Sequence, residues 1–512
     1  MVDWVAILDF GSQYTHLIAR RVRECGVYSE IVPYNIDARQ LLARLPKAII
    51  LSGGPASVTS KKSLICDRDI FSIGIPTLGI CYGAQLMAKA LGGRVIKAKA
   101  GEYGKVTLQI KSGEGLFKGL SSREAIWMSH GDRISRLPKG FRIIGSTENS
   151  PIGAMENKAR RLCGLQFHPE VVHTPKGKKI FKNFLYHLAD CRPSWSIHSF
   201  VKNSINELKE RIGREKVLCA LSGGVDSSVL AILLHKAIGK NLIAIFIDNG
   251  LLRKDEVTLV KRRFKNHCRI NLRVVNAQDT FLNGLRGVKN PERKRKTIGR
   301  LFIEVFEREV KKLGKIKFLA QGTLYPDVIE SRSPWGGPSA TIKTHHNVGG
   351  LPPHLKFELI EPLKYLFKDE VRLVGKELGL PDEIVYRQPF PGPGLAVRVL
   401  SAITKEKLNV LRQADWILMD EIKHANLYRK LWQSFCVLLP VKTVGVMGDK
   451  RSYENVLAIR AVTSEDAMTA HWARLPYELL ERVSSRIINE VEGINRVVYD
   501  ISSKPPSTIE WE

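Results

Sequence analysis

The sequence has no CxxC pair. Its eight cysteines, Cys25, Cys66, Cys81, Cys163, Cys191, Cys219, Cys268 and Cys436, are scattered over 512 residues. That excludes a zinc site built on paired cysteines and a disulfide framework, and reduced thiols in a cytoplasmic protein are expected. No run of about 18 apolar residues occurs, so no membrane-spanning helix is expected. The opening MVDWVAILDFGSQYTHLIARRVRECG is unlike a secretory signal, with an acidic residue at position 3 and only a short apolar run. There are no repeats, no low-complexity tract and no GxxxxGK[ST] loop, which excludes a Walker-type grip on phosphates. Negative charge is also scarce. Asp and Glu number 51 against 80 Lys and Arg, a formal net charge of +29. Such a surplus suits a polyanion. Here it is spread along the chain, with a local excess only at GVKNPERKRKTIGR, and it reads as solvated surface charge. No obligate nucleic-acid partner is expected.

What is present is an ordinary globular balance, 44% hydrophobic and 26% charged, long enough for two to four domains. VAILDF, KAIILSGG and PTLGICYG are short apolar strands ending in glycine-rich turns, with helical patterns after the first and third. KVLCALSGG, NLIAIFIDNG, NLRVVNA and KFLAQGT repeat that texture after the connector ADCRPSWSIHSF. Alternation of this kind predicts α/β architecture: two doubly wound parallel-sheet domains. Past PFPGPG, residues 402–434 read as helix and the remainder as a small α+β domain. The expected domains are 1–190, 191–388 and 389–512.

LCALSGGVDSSVLAILLH places a serine-glycine turn between a strand and a helix. Glycines let backbone N–H groups approach an anion, and the helix N-terminus adds donors and partial positive charge. The candidate nucleotide contacts are Ser222, Gly223, Gly224, Val225, Asp226, Ser227 and Ser228. A carboxylate inside a phosphate loop calls for a divalent cation, so Asp226 is a candidate Mg2+ ligand. A loop without the lysine suits a departing pyrophosphate, and hence attack at the α-phosphorus. Asp248 ends the next strand, where it also reads as a helix cap. In QGTLYPDVIES, Gly322 allows close approach to a nucleotide and Asp327 is a second candidate metal ligand. Lys343 is a candidate substitute for the missing lysine. The adjacent His345 and His346 diverge on a strand and do not suit a metal pair.

Cys81 sits between the strand and the helix of PTLGICYGAQLMAKALGG, the arrangement of a nucleophile elbow. A helix N-terminus favours the thiolate. His168 and Glu170 in LCGLQFHPEVVHT share one face of an extended segment, so Glu170 can orient an imidazole that takes the proton. His130 in WMSHGD is an alternative base, read as a neighbour of the site.

SGGVDSS resembles the pyrophosphatase loop of ATP-pyrophosphatases. GxCxGxQ and QFHPE resemble the motifs of class I glutamine amidotransferases. That second resemblance implies a thioester at Cys81, oxyanion donors at the backbone N–H groups of Gly54 and Tyr82, and glutamine binding by Gln85. The order of these motifs, with LDFGSQYT, GTLYPDVIES, HHNVGGLP, PFPGPGL, VGVMGD and KPPSTIEWE, resembles the glutamine-hydrolysing GMP synthetase family over essentially the whole chain. The resemblance implies ATP with Mg2+, XMP and glutamine as small-molecule ligands. It also implies a C-terminal domain that forms a homodimer and helps bind XMP, with Lys504, Thr508, Glu510 and Arg295 as contacts. Ser507 replaces the alanine or glycine more usual there, and ESRSPWGGPSATIKTHH departs from the family's usual stretch. The rivals are a tRNA-modifying enzyme with the same loop, another amidating ligase, and a non-catalytic regulator.

Overall fold

In the computed structural model the chain forms two compact units, Met1–Phe200 and Val201–Glu512. The residues described are 3–61, 63–314, 316–325, 327, 357–447, 449–464 and 469–512. No described helix is long and apolar enough to cross a membrane.

The first unit runs β1 (Trp4–Asp9), α1 (Thr15–Glu24), β2 (Tyr28–Pro33), α2 (Ala38–Arg44), β3 (Ala48–Leu51), β4 (Thr77–Ile80) and α3 (Tyr82–Ala90). It continues with β5 (Arg94–Ile110), β6 (Arg123–Arg136), β7 (Arg142–Ser146), β8 (Ala154–Asn157), β9 (Leu162–Leu165) and α4 (Gly177–Lys182). The strands form one sheet in the order β2-β1-β3-β4-β9-β8-β7-β5-β6. It is parallel from β2 to β9, as expected, and continues antiparallel through the long β5–β6 pair. Every residue of β3 and β4 is buried, which is why AIIL and TLGI are continuous apolar runs rather than alternating ones.

α5 (Ile197–Ile212) starts in the last residues of the first unit and runs on into the second, so helix takes over the end of the expected connector. Then come β10 (Val217–Ala220), α6 (Val225–Ile238), β11 (Leu242–Asp248), α7 (Glu256–Val260), β12 (Leu272–Asn276), α8 (Gln278–Gly284) and α9 (Pro291–Lys311). β13 (Phe318–Ala320), β14 (Glu358–Ile360), α10 (Lys368–Glu377) and α11 (Asp382–Val385) follow. Its first sheet is wholly parallel, in the order β12-β11-β10-β13-β14. The C-terminal part has α12 (Lys405–His424), β15 (Gln433–Met447), β16 (Lys450–Thr463), β17 (His471–Trp472), α13 (Tyr477–Glu490) and β18 (Ile494–Tyr499). β16 lies between β15 and β17, and β18 also pairs with it.

The helix expected over 402–434 stops at His424. Asn426 adopts φ 56°, the Asn426 N–H donates to the Lys423 carbonyl and the Leu427 N–H to the Ile422 carbonyl. This is the paired-bond helix ending that a left-handed Asn permits. One hydrophobic core runs from Leu218, Ile245 and Leu319 to Leu395, Leu411, Leu457 and Ile487, so residues on both sides of position 388 share it.

Candidate active sites

The first site grows out of the β4–α3 turn. Cys81 caps α3 with φ 48° and ψ −103°, a backbone that side-chain-bearing residues rarely adopt. The flanking glycines make room for it. A Cβ on Gly79 would lie 2.7 Å from the Gly83 carbonyl, and one on Gly83 would lie 2.5 Å from the Leu51 oxygen. Tyr82 is the first residue of α3, so its N–H has no helical carbonyl to receive it. A Cβ on Gly54 would lie 2.9 Å from the Phe10 oxygen, so that position too is set by close packing.

Register brings the other groups alongside. β4 and β9 pair Ile80 with Leu165, and the Cys81 N–H donates to the Leu165 carbonyl at 2.7 Å. The chain leaving β9 therefore passes the thiol. His168 Nδ1 meets Glu170 Oε1 at 2.6 Å, and both side chains are buried. The imidazole is fixed from several directions. Its backbone N–H donates to Trp127 O at 3.0 Å, Thr174 Oγ1 donates to its carbonyl at 2.7 Å, and Tyr14 packs against the ring edge. Burial alone would lower the pKa of His168. The Glu170 carboxylate and hydrogen bonding with Cys81 outweigh it and raise the pKa well above the usual imidazole range. Cys81 also has Ser129 O at 3.8 Å and Gln166 Nε2 at 3.9 Å from its sulfur. Burial pushes the Cys163 and Cys219 thiols up to about 12.

The alternative base is differently employed. His130 Nε2 lies 3.3 Å from Glu102, which also accepts the hydroxyls of Thr147 and Ser150. Burial lowers the His130 pKa. Gln85 donates through Nε2 to Asp132 O at 2.8 Å, and Ser57 donates to the Asp132 carboxylate. Trp127, Ser129 and Asp132 all lie on β6, whose role in walling the thiol site is invisible in sequence because it depends on sheet order.

The second site is the β10–α6 turn. Gly223 has φ 77° and Gly224 caps α6. Ser222 Oγ accepts the Gly224 N–H at 3.3 Å and lies 3.0 Å from Ser227 Oγ. Ser227 and Ser228 donate to the Gly224 carbonyl at 3.2 and 2.6 Å. Arg387, paired with Glu256, donates to the Gly223 carbonyl at 2.8 Å. The Asp226 carboxylate pairs through Oδ2 with Lys368, while its Oδ1 is buried without a hydrogen-bond partner. Lys368, in EPLKYLFKDEVR, is a site residue that no local sequence signal marks. A Cβ on Gly322 would lie 3.6 Å from the Asp226 backbone, so this glycine borders the loop.

Asp248 accepts the Gly250 N–H and the Gln278 side-chain amide; it braces the turn after β11 and caps no helix, since α7 is capped by Asp255 and α8 by Ala277. Asp327 accepts the Leu324 N–H at 3.0 Å. Among the described residues no cluster of three or more His, Cys, Asp or Glu side chains could hold a metal ion. Lys343, His345 and His346 lie outside the described residues.

The C-terminal tail is held by buried cations. Arg398 forms two bonds to Glu510, at 2.8 and 3.1 Å, and Gln433 adds a third at 2.6 Å. Arg460 reaches the carbonyls of Ser502, Thr508 and Ile509. Lys294 bonds Glu512 Oε2, and Arg295 bonds the Glu512 backbone oxygen. The Thr508 hydroxyl donates to the Glu510 carbonyl, and Lys504 exchanges backbone bonds with Ala470. Ser507 donates to Ser503 O at 2.8 Å.

Residues 6–188 match the family model for class I glutamine amidotransferases, and residues 420–511 that for the GMP synthase C-terminal domain. Residues 215–280, the phosphate loop with β10, β11 and β12, match the tRNA methyl transferase HUP domain. Fold and sites together define a glutamine-dependent amidating ligase. The chain is 58% identical to GMP synthase (glutamine-hydrolyzing) of Carboxydothermus hydrogenoformans over 512 residues, all of both chains. It is 56% identical to the enzyme of that name from Alkaliphilus metalliredigens and 57% to that from Acetivibrio thermocellus, each over all of this chain and 99% of the relative. The chain belongs to the glutamine-hydrolysing GMP synthase family.

Proposed function

We propose that this chain converts XMP to GMP, with glutamine as nitrogen donor and ATP as activator. The observation that carries the reading is the buried His168–Glu170 pair, 2.6 Å apart, hydrogen-bonded onward to a thiol on a strained elbow, in one chain with SGGVDSS. Cys81 attacks the glutamine amide carbon and His168 protonates the departing nitrogen. Water then releases glutamate, with Gly54 and Tyr82 N–H groups facing the oxyanion and Gln85 helping to seat the substrate. In the region 191–388, residues 222–228 with Asp248, Gly322 and Lys343 hold ATP for attack by the XMP C2 oxygen. Lys368 stands beside that loop as a further cation for phosphate. The unpartnered Asp226 Oδ1 fits a cation, with Asp327 as the second ligand. Bound Mg2+ would neutralise charge on the departing pyrophosphate. Ammonia then displaces AMP; it must travel shielded from water, since ammonium has no free electron pair.

The region 389–512 binds XMP through Lys504, Thr508 and Glu510, with Arg295, and forms a cytoplasmic homodimer. Val444 and Tyr453 are paired across β15 and β16, and with Val446 they leave an exposed apolar strip there. A sedimentation mass of one chain at micromolar concentration would exclude the dimer. The chemistry is tested by incubating the protein with amide-15N glutamine, XMP and ATP-Mg2+, without RNA. The label is expected in GMP, with AMP and pyrophosphate formed. Formation of ADP, or a requirement for RNA, overturns the reading.

A further inference from the structure

Gln166 is the first residue past β9. Because Ile80 pairs with Leu165 in parallel register, Cys81 and Gln166 are the next residues along on adjoining chains. The Gln166 backbone is tied down by donation to Gly153 O at 2.9 Å, and the residue is 1% exposed. Its amide Nε2 donates to Cys81 Sγ at 3.9 Å, and its Oε1 has no hydrogen-bond partner. The orphan oxygen therefore belongs to the same buried amide group that meets the sulfur through its nitrogen. A buried carbonyl oxygen without a donor is costly, and a protein keeps one where an arriving group supplies the donor. The group that arrives at Cys81 is a primary carboxamide, whose NH2 carries two donors.

We infer that Gln166 is a further catalytic residue of the glutaminase. Its N–H holds the attacking sulfur, and its oxygen receives an N–H of the amide nitrogen about to leave. The inference rests on the glutaminase reading of Cys81. As the C–S bond forms, the Cys81 S–H proton passes to His168 and the carbonyl π pair moves onto oxygen. Collapse of that adduct breaks the C–N bond, and the nitrogen leaves as ammonia with the proton from His168. Water, deprotonated by His168, then cleaves the thioester to glutamate and restores the thiol. Gln166 exchanges no proton in this sequence. It orients the sulfur before attack and keeps the nitrogen pointed toward the imidazolium during collapse.

The test uses the full chain carrying Gln166→Leu, which keeps the volume and removes both polar atoms. Glutamine-dependent kcat should fall about 100-fold, the usual effect of losing a buried donor at a reacting centre. GMP formation from ammonia should stay at the parent level. Alkylation of Cys81 by iodoacetamide should shift to higher pH, because a donor that favours the thiolate is gone. Retained glutamine-dependent kcat, within about twofold, with an unmoved alkylation profile overturns the inference. Should Gln166→Leu also lose ammonia-dependent activity, Gln166→Glu decides. A carboxylate beside the sulfur must push the alkylation profile alkaline, and an unchanged profile refutes the contact. Cys81→Ala run in parallel separates the two readings. If it still uses glutamine, the glutaminase assignment itself fails, whatever Gln166 does.

Discussion

The residue with the clearest electrostatic signature is His168. Its imidazole is lifted well above its ordinary range because the Glu170 carboxylate and the Cys81 contact outweigh the effect of burial. A basic group whose folded pKa exceeds its unfolded value contributes stability that is fully present below about pH 6.5 and is lost as pH rises through the folded value. Glu170→Gln removes the charge responsible. The stability advantage of the parent over this variant should therefore be largest near pH 6 and shrink toward pH 9. Melting temperatures of both proteins across that range measure it, and a gap that widens with pH contradicts the assignment. Glutamine-dependent kcat of the variant should drop about 100-fold as the imidazole loses its orienting partner. At this scale most of the thiol site was legible: Cys81, His168 and Glu170 stand in short motifs whose spacing carries the chemistry. Gln166 lies inside one of those motifs, but its role depends on the β4–β9 register, which no local pattern states.

Elements were legible where local rules decide them. β1, β3, β4, β10 and β11 are apolar runs ending at glycine or Asp-Asn turns, and their positions follow directly. β5 and β6 were not anticipated. They carry mixed polar and apolar residues, and their pairing, with irregularities after Arg94 and Lys97, is decided by each other rather than by composition. The end of α12 was missed for a related reason. Residues 425–432 continue a helix-compatible texture, and only the left-handed Asn426 with its two carbonyl bonds stops the helix. The buried clasps on the tail are likewise long-range. Arg398 and Arg460 are wholly buried cations whose partners lie 112 and 40 or more residues away. As residues in a sequence they read as surface charge.

At the scale of the whole molecule, the apolar side chains sort into separate cores. The core that contains Leu51, Met87 and Met155 draws only on residues of the first unit, and the one that contains Leu218, Leu411 and Leu457 only on residues of the second. Each unit thus has the means to melt as its own cooperative transition. Gly83 offers a way to perturb one of them. A Cβ there would come within 2.5 Å of the Leu51 oxygen and 2.6 Å of its Cβ, and Leu51 belongs to the first core. Overpacking of this kind costs about 1–3 kcal/mol. For a unit of about 200 residues each kcal/mol corresponds to roughly 2–4 °C. Scanning calorimetry of Gly83→Ala should show one transition lowered on that scale and the other in place. Glutamine-dependent GMP formation should be lost with the elbow, while ammonia-dependent formation survives, because the adenylating loop and the tail belong to the unmoved transition. If both transitions fall together, or if ammonia-dependent activity disappears in step with the glutamine-dependent one, the two cores are not energetically separate and the division of labour between the units does not hold.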